Sequence, residues 1–178
     1  MDAIQKPGRR TFIRIASAGS LAAGTGGLNA LLVPQVAKAQ QAFGDANFAT
    51  LTKIARDIFP HDRFDDAPYQ AAVAVYGDSA KTDAAQQKLM ADGIVAVDAA
   101  ALQKSGKRYV DIPAEADRVA VLKGLETSPF FVKIRGDLVV SLYNQPAVWK
   151  QLGYQGPSAD LGGYIRRGFN DQDWMATA

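Results

Sequence analysis

Apolar residues recur at helical spacing along most of this chain. The clearest stripe ends at Pro60, where the proline ring stops a helix, and it consists of Phe48, Leu51, Ala55, Ile58 and Phe59. A half-buried strand shows alternating apolar and polar residues between turn signals, and no stretch of this chain has that pattern. The chain is therefore predicted to be mainly α, with a body of roughly five or six helices.

Capping and helix-breaking residues divide the rest of the body into further predicted helices. These run over Pro68–Tyr76, from Thr82-Asp83 to about Lys104, from Asp111-Ile112-Pro113 onward, from Phe130 to about Tyr143 after the start signal Thr127-Ser128-Pro129, and from Gln145-Pro146 to Gly153. The stripes predicted to face inward consist of Leu89, Gly93, Val97 and Leu102 in one helix and of Val119, Leu122 and Leu125 in the next. The helix after Ser128 carries the apolar residues Phe130, Phe131, Ile134, Leu138, Val139 and Leu142. The helix after Ser128 is the most apolar, so we expect it at the centre of the core.

The last part of the chain, residues 154–178, has a different composition. Glycines are interleaved there with aromatic side chains, among them Tyr164, Phe169 and Trp174. Glycine at this density disfavours a long helix, whereas so many rings are unusual in a solvated tail. We therefore expect an extended segment that either wraps around its own domain or binds a partner, since Tyr and Trp are enriched in interfaces.

Residues 1–39 are predicted to be a twin-arginine signal peptide. Its motif consists of Arg9, Arg10, Phe12 and Arg14. The stretch 15–37 is uncharged but rich in glycine, and it is a poor membrane anchor because a spanning helix needs about 20 predominantly apolar residues. Ala37-Lys38-Ala39 has the small-x-small pattern of a signal-peptidase site, which predicts cleavage after Ala39 and a helical domain over residues 40–178.

The charge and the ligating residues of the chain restrict its chemistry. The net charge is +2, the basic excess lies in the leader, and no clustered basic face indicates a nucleic-acid partner. The chain has no cysteine and one histidine, so it cannot build a structural zinc site, an iron–sulfur cluster or a covalent haem site alone. No cofactor is expected in this chain. Because the twin-arginine route serves mainly proteins that fold before export, we infer that the leader also carries a cofactor-bearing partner.

Three polar features are candidates for a site, and each has a plainer interpretation. His61 is able to act as a general base near neutral pH, but no nucleophile spacing accompanies it, so helix termination or an interface hydrogen bond is favoured. Asp65-Asp66 is too short a pattern for a calcium loop. Arg166-Arg167 is expected on a solvated face rather than against an acidic partner. We expect no catalytic residue and no metal ligand.

Several short motifs occur in the order typical of one family. They are Ile58-Phe59-Pro60-His61-Asp62, Leu142-Tyr143-Asn144-Gln145-Pro146 with Trp149, Leu152-Gly153-Tyr154-Gln155-Gly156-Pro157, Gly162-Gly163-Tyr164 and Asp173-Trp174. This ordered set, within residues 43–176, resembles gluconate 2-dehydrogenase subunit 3, the small subunit of membrane-associated FAD-dependent sugar and sugar-acid dehydrogenases. The twin-arginine leader is also usual for that family.

The resemblance implies a non-catalytic subunit that is needed for the export and stability of a larger flavoprotein. That partner, of the glucose–methanol–choline oxidoreductase type, holds FAD, and a cytochrome c subunit with haem c commonly takes the electrons onward. The implied location is the periplasm, on the outer face of the inner membrane through the complex. The aromatic residues that we predict at the partner interface are Tyr143, Trp149, Tyr154, Tyr164 and Trp174.

Two other hypotheses remain at this point. The first is a free-standing periplasmic helical binding or scaffold protein, which is expected to be monomeric and stable alone. The second, an independent small enzyme, is weaker because no nucleophile–base or metal constellation is visible. An orphan subunit, in contrast, is expected to aggregate when expressed alone, because the faces that carry Trp149, Tyr154 and Trp174 are then bare.

Overall fold

The computed structural model describes residues 29–78, 83–159 and 162–163. All regular elements in these ranges are helical, which confirms the mainly α prediction. They are α1 (Asn29–Phe43), α2 (Asp45–Ile58), α3 (Ala67–Ala74) with a 3₁₀ turn (Val75–Gly77), α4 (Ala84–Ser105), a second 3₁₀ turn (Tyr109–Asp111), α5 (Glu115–Lys123), α6 (Pro129–Ser141) and α7 (Pro146–Leu152). None of these helices is long and apolar enough to cross a bilayer.

The helix ends follow the capping signals in the sequence. The Asp83 side chain accepts a hydrogen bond from the backbone N–H of Gln86 at 2.7 Å, and α4 begins directly after it. Ser128 caps α6 in the same way, with Pro129 in its first turn. Gly106 ends α4 in the left-handed conformation, at φ 68°. These boundaries are local properties of the chain, and the predictions for α4 and α6 are confirmed within one or two residues.

The centre of the core is α2, not α6. α2 packs against α1, α3, α4, α5 and α6, and its Leu51 and Ile54 side chains are fully buried. The prediction that the most apolar helix is the central one is wrong, because α6 packs through one face only. The opposite face of α6 exposes more than half of the side chains of Val132, Val139 and Val140. Apolar content alone does not place a helix at the centre.

Two inward stripes differ from their predicted positions. In α4 the buried residues are Met90, Gly93, Ile94, Val97 and Ala101, whereas Leu102 is 51% exposed. In α5 Leu122 is buried with Val121 and Arg118, while Val119 is only half-buried, as is Leu125 just after the helix. At the crossing of α4 and α6 the two helices approach closely, since a Cβ at Gly93 would lie 2.1 Å from the Phe130 ring.

An ion pair lies inside the core, and the sequence analysis did not identify it. Arg118 Nε and Nη2 donate to the two carboxylate oxygens of Asp57 at 2.7 and 2.8 Å, and the Tyr109 hydroxyl donates to Asp57 Oδ2 at 2.6 Å. Arg118 Nη1 donates to the carbonyls of Ile112 and Pro113. Hydrogen bonding to Asp57 raises the pKa of Arg118, and burial raises the pKa of Tyr109. The network joins α2 to α5 and to the second 3₁₀ turn.

The first described helix begins inside the segment predicted as a leader. α1 runs from Asn29 through Pro34 and Ala39 to Phe43, and it packs on α2, α3 and the first 3₁₀ turn. Residues 1–28, which include the twin-arginine motif, lie outside the described residues. The predicted division between leader and domain after Ala39 stays a prediction.

Candidate partner-binding site

Three of the predicted interface residues lie together where α6 meets α7. The Trp149 indole N–H donates to the backbone carbonyl of Tyr143 at 2.6 Å, and the rings of Trp149 and Tyr154 meet edge to face with centroids 5.5 Å apart. Edge-to-face contact is a favoured arrangement of aromatic pairs. The other two, Tyr164 and Trp174, lie outside the described residues.

The loop after α2 completes this cluster from a distant part of the sequence. The Nε2 atom of His61 lies 2.7 Å from the Tyr143 hydroxyl, and the Phe59 ring contacts the Tyr143 ring edge-on with centroids 5.8 Å apart. On its other side His61 packs on the Phe64 ring, at a centroid distance of 4.4 Å. Burial raises the pKa of Tyr143, so the hydroxyl is protonated at neutral pH and can donate to the imidazole. We call His61, Tyr143, Trp149 and Tyr154 the aromatic surface.

The backbone after α7 is shaped to bring Tyr154 onto Trp149. Gly153 adopts the left-handed conformation at φ 76°, which ends α7 and lets the Tyr154 N–H bond to the Trp149 carbonyl at 2.8 Å. Gly156, at φ 94°, follows with its backbone against the indole, since a Cβ there would lie 3.3 Å from the ring. The turn leaves Leu152 50% exposed and Tyr154 46% exposed. The sequence motif Leu-Gly-Tyr-Gln-Gly therefore builds one compact turn that presents two apolar side chains.

Part-buried hydrogen bonds attach the aromatic surface to α3. The Gln145 side chain donates to the carbonyl of Pro68 at 2.9 Å, which ties the start of α7 to α3. The Tyr69 hydroxyl donates to the Phe59 carbonyl at 2.8 Å, and Arg56 lies over the Tyr69 ring at 5.3 Å from its centroid. Burial raises the pKa of Tyr69, although the charge of Arg56 opposes the shift. The loop that carries His61 is thus attached to both α2 and α3.

The candidate polar side chains in and near the aromatic surface are paired with other side chains or with the backbone. The hydrogen-bond partner of His61 is a tyrosine hydroxyl, and aromatic rings enclose the imidazole. Asp65 accepts a bond from the backbone N–H of Ala67, and Asp66 forms an ion pair with Arg56 at 2.9 Å. No group of three or more acidic or histidine side chains able to share a metal ion occurs in the part of the chain that the structure describes. Arg166-Arg167 lies outside it.

The comparison with protein families assigns the chain. The sequence profile described as gluconate 2-dehydrogenase subunit 3 matches residues 45–156. The chain belongs to this family. The predicted resemblance is confirmed over α2 to α7 and over His61, Tyr143 and Trp149, while α1 and the residues after Gly156 lie outside the match. No curated protein and no solved structure matches the chain.

Membership places the chain among the accessory subunits of dehydrogenase complexes. The matched range contains the whole aromatic surface, including the glycines that shape the turn after α7. Helices α2 to α7 and the aromatic surface therefore lie within the range that matches the family.

Proposed function

We propose that this chain is the non-catalytic small subunit of a periplasmic FAD-dependent dehydrogenase of the glucose–methanol–choline type, acting on a sugar or sugar acid. In this proposal the large subunit holds FAD, a cytochrome c subunit with haem c accepts the electrons, and the aromatic surface binds the large subunit. The observation that carries the proposal is the aromatic surface itself, which is pre-arranged, partly exposed and contained in the matched range.

The aromatic surface has the physical properties of an interaction hot spot. Tyr154 and Leu152 expose about half of their side chains, while Trp149 and Tyr143 behind them are held by hydrogen bonds. Tyr and Trp are enriched at hot spots because they bury a large area with few rotatable bonds. Because the surface is already ordered, a partner that covers it loses little further conformational entropy on binding.

The proposal extends to export. The twin-arginine motif of Arg9, Arg10 and Phe12 is the signal that the twin-arginine translocase binds, and the folded flavoprotein travels with the small subunit. The complex then resides on the outer face of the inner membrane. A pairing made in the cytoplasm requires that the small subunit folds before export, so that the aromatic surface is available to the flavoprotein there.

Purification of the tagged full chain from its host tests the proposal. We expect a larger polypeptide to co-purify with the absorption spectrum of oxidised flavin. Tyr154→Ala is expected to weaken the association about 30-fold, which corresponds to a hot spot of about 2 kcal/mol. Leu102→Ala is the matched control, because it removes an equally exposed apolar side chain from α4, away from the aromatic surface. The control is expected to retain the flavoprotein.

A second arm of the experiment follows location. Replacing both Arg9 and Arg10 by lysine is expected to hold this chain and its flavoprotein in the cytoplasm, whereas the same change at Arg166 and Arg167 leaves both exported. A colourless, soluble monomer recovered from the periplasm overturns the proposal in favour of a free-standing protein. If association with the flavoprotein weakens equally in Tyr154→Ala and Leu102→Ala, the flavoprotein binds elsewhere on this subunit.

A further inference from the structure

The predicted cleavage site lies inside a helix that is packed on the body. Ala37-Lys38-Ala39 carries the small-x-small pattern, and α1 runs through it from Asn29 to Phe43. Ala37 and Lys38 are exposed, whereas Ala39 is 0% exposed and belongs to the core. The residue that would precede the cut is therefore the one that α1 buries.

The contact that buries Ala39 is made by a glycine of the first 3₁₀ turn. A Cβ on Gly77 would lie 2.2 Å from the Ala39 Cα and 2.7 Å from its Cβ, so the two backbones touch. Val36 and Phe43, on the same side of α1, pack against the core as well. The helix closes at Gly44, whose N–H bonds to the Gln40 carbonyl at 2.7 Å. Both sides of the bond between residues 39 and 40 are therefore held in helical geometry.

A peptidase cuts an extended backbone, because the scissile bond and the small side chains before it must fit a narrow site. To present the bond after Ala39, the chain has to unwind α1 and lift Val36, Ala39 and Phe43 from the core. Cleavage of a folded protein at such a bond depends on the population of the locally open form, which is small when apolar contacts hold the segment closed.

We propose that docking of α1 on Gly77 shields the predicted signal-peptidase site, so that the exported subunit keeps its leader. The inference rests on the proposed export through the twin-arginine route, because only a chain that is folded before export meets the peptidase with α1 already docked. The retained leader then remains an N-terminal extension of the subunit on the outer face of the membrane. Cleavage after Ala39 therefore reports whether α1 is docked on Gly77.

Mass measurement of the exported chain, in its complex, tests the inference. The wild-type chain is expected to contain residues 1–39. Gly77→Ala places a methyl group against the backbone of Ala39, so α1 is expected to be displaced and the fraction cut after Ala39 to rise about tenfold or more. Gly136→Ala is the matched control, since a Cβ there meets nothing within 4 Å, and it is expected to remain uncut.

Hydrogen exchange separates docking from export. The amides of residues 36–43 are expected to be protected in the wild-type chain and to exchange faster in Gly77→Ala. Wild-type chains cut after Ala39, rapid exchange in residues 36–43 of the wild type, or a Gly77→Ala chain with fast exchange that stays uncut each overturn the inference. A wild-type chain that remains in the cytoplasm instead overturns the proposed function, and fractionation identifies that case directly.

Discussion

Asp57→Ala is expected to lower the free energy of unfolding by about 3–5 kcal/mol, because it leaves a buried guanidinium without its counter-charge. The side chains of Asp57 and Arg118 are 1% and 7% exposed. Asp57 accepts two hydrogen bonds from Arg118 and one from Tyr109, so one substitution leaves three donors unsatisfied. Arg118 keeps only its two carbonyl partners. Water does not reach the pair readily, so the desolvation cost stays in the folded state.

Pulse proteolysis across a urea series measures this loss in dilute lysate, where aggregation is slow. For a chain of this size each kcal/mol corresponds to about 2–4 °C, so a thermal midpoint is expected to fall by roughly 10 °C. Asp92→Ala is the control, because Asp92 pairs with Lys88 on the surface of α4 and the same helix-favouring alanine is introduced. That change is expected to cost less than about 0.5 kcal/mol.

A double variant separates the charge from the packing. Asp57→Leu combined with Arg118→Met replaces both charges by apolar side chains, and it is expected to be more stable than Asp57→Ala alone. An Asp57→Ala loss as small as that of Asp92→Ala would refute the buried position of the pair. A double variant no more stable than Asp57→Ala would show that the uncompensated charge is not the cause of the loss.

Two further predictions concern Tyr109 and Gly93. Burial and, to a lesser extent, the hydrogen bond to Asp57 raise the pKa of Tyr109. Above about pH 10 the unfolded chain therefore loses this proton while the folded chain keeps it, so the free energy of unfolding falls as pH rises. Urea unfolding between about pH 8 and 11 should show a weaker fall in the Tyr109→Phe variant. Gly93→Ala forces a methyl group onto the Phe130 ring and should cost about 1–3 kcal/mol, whereas Gly136→Ala, in open space, should be neutral or stabilising in the same assay.

The positions of the helices were predictable because their causes are local. Asp83 and Ser128 accept bonds from N–H groups a few residues later, and Gly106 and Gly153 reverse the chain at positive φ. These effects require no knowledge of distant residues, so most predicted ends agree with the structure. The helix expected from Asp111 starts later, at Glu115, because residues 109–111 form a 3₁₀ turn that holds Tyr109 against the core.

The candidate site was predictable in part. Tyr143, Trp149 and Tyr154 are close in sequence, and a proline, a helix and a glycine turn bring them together. The hydrogen-bond partner of His61 was not predictable, because Tyr143 lies 82 residues away and neither motif indicates a contact with the other. His61 stands next to Asp62 in the sequence, but its hydrogen-bond partner is Tyr143, in the turn between α6 and α7.

Residue types and their spacing in this chain specify that it is helical and where most helices begin and end, since both depend on neighbours within a few turns. The order of its short motifs along the chain is enough to indicate the family. The packed structure is what assigns the centre to α2, pairs Asp57 with Arg118 across 61 residues and seats α1 against Gly77. Those outcomes depend on how surfaces far apart in the chain fit together. The periodicity of one segment contains no information about the shape of another.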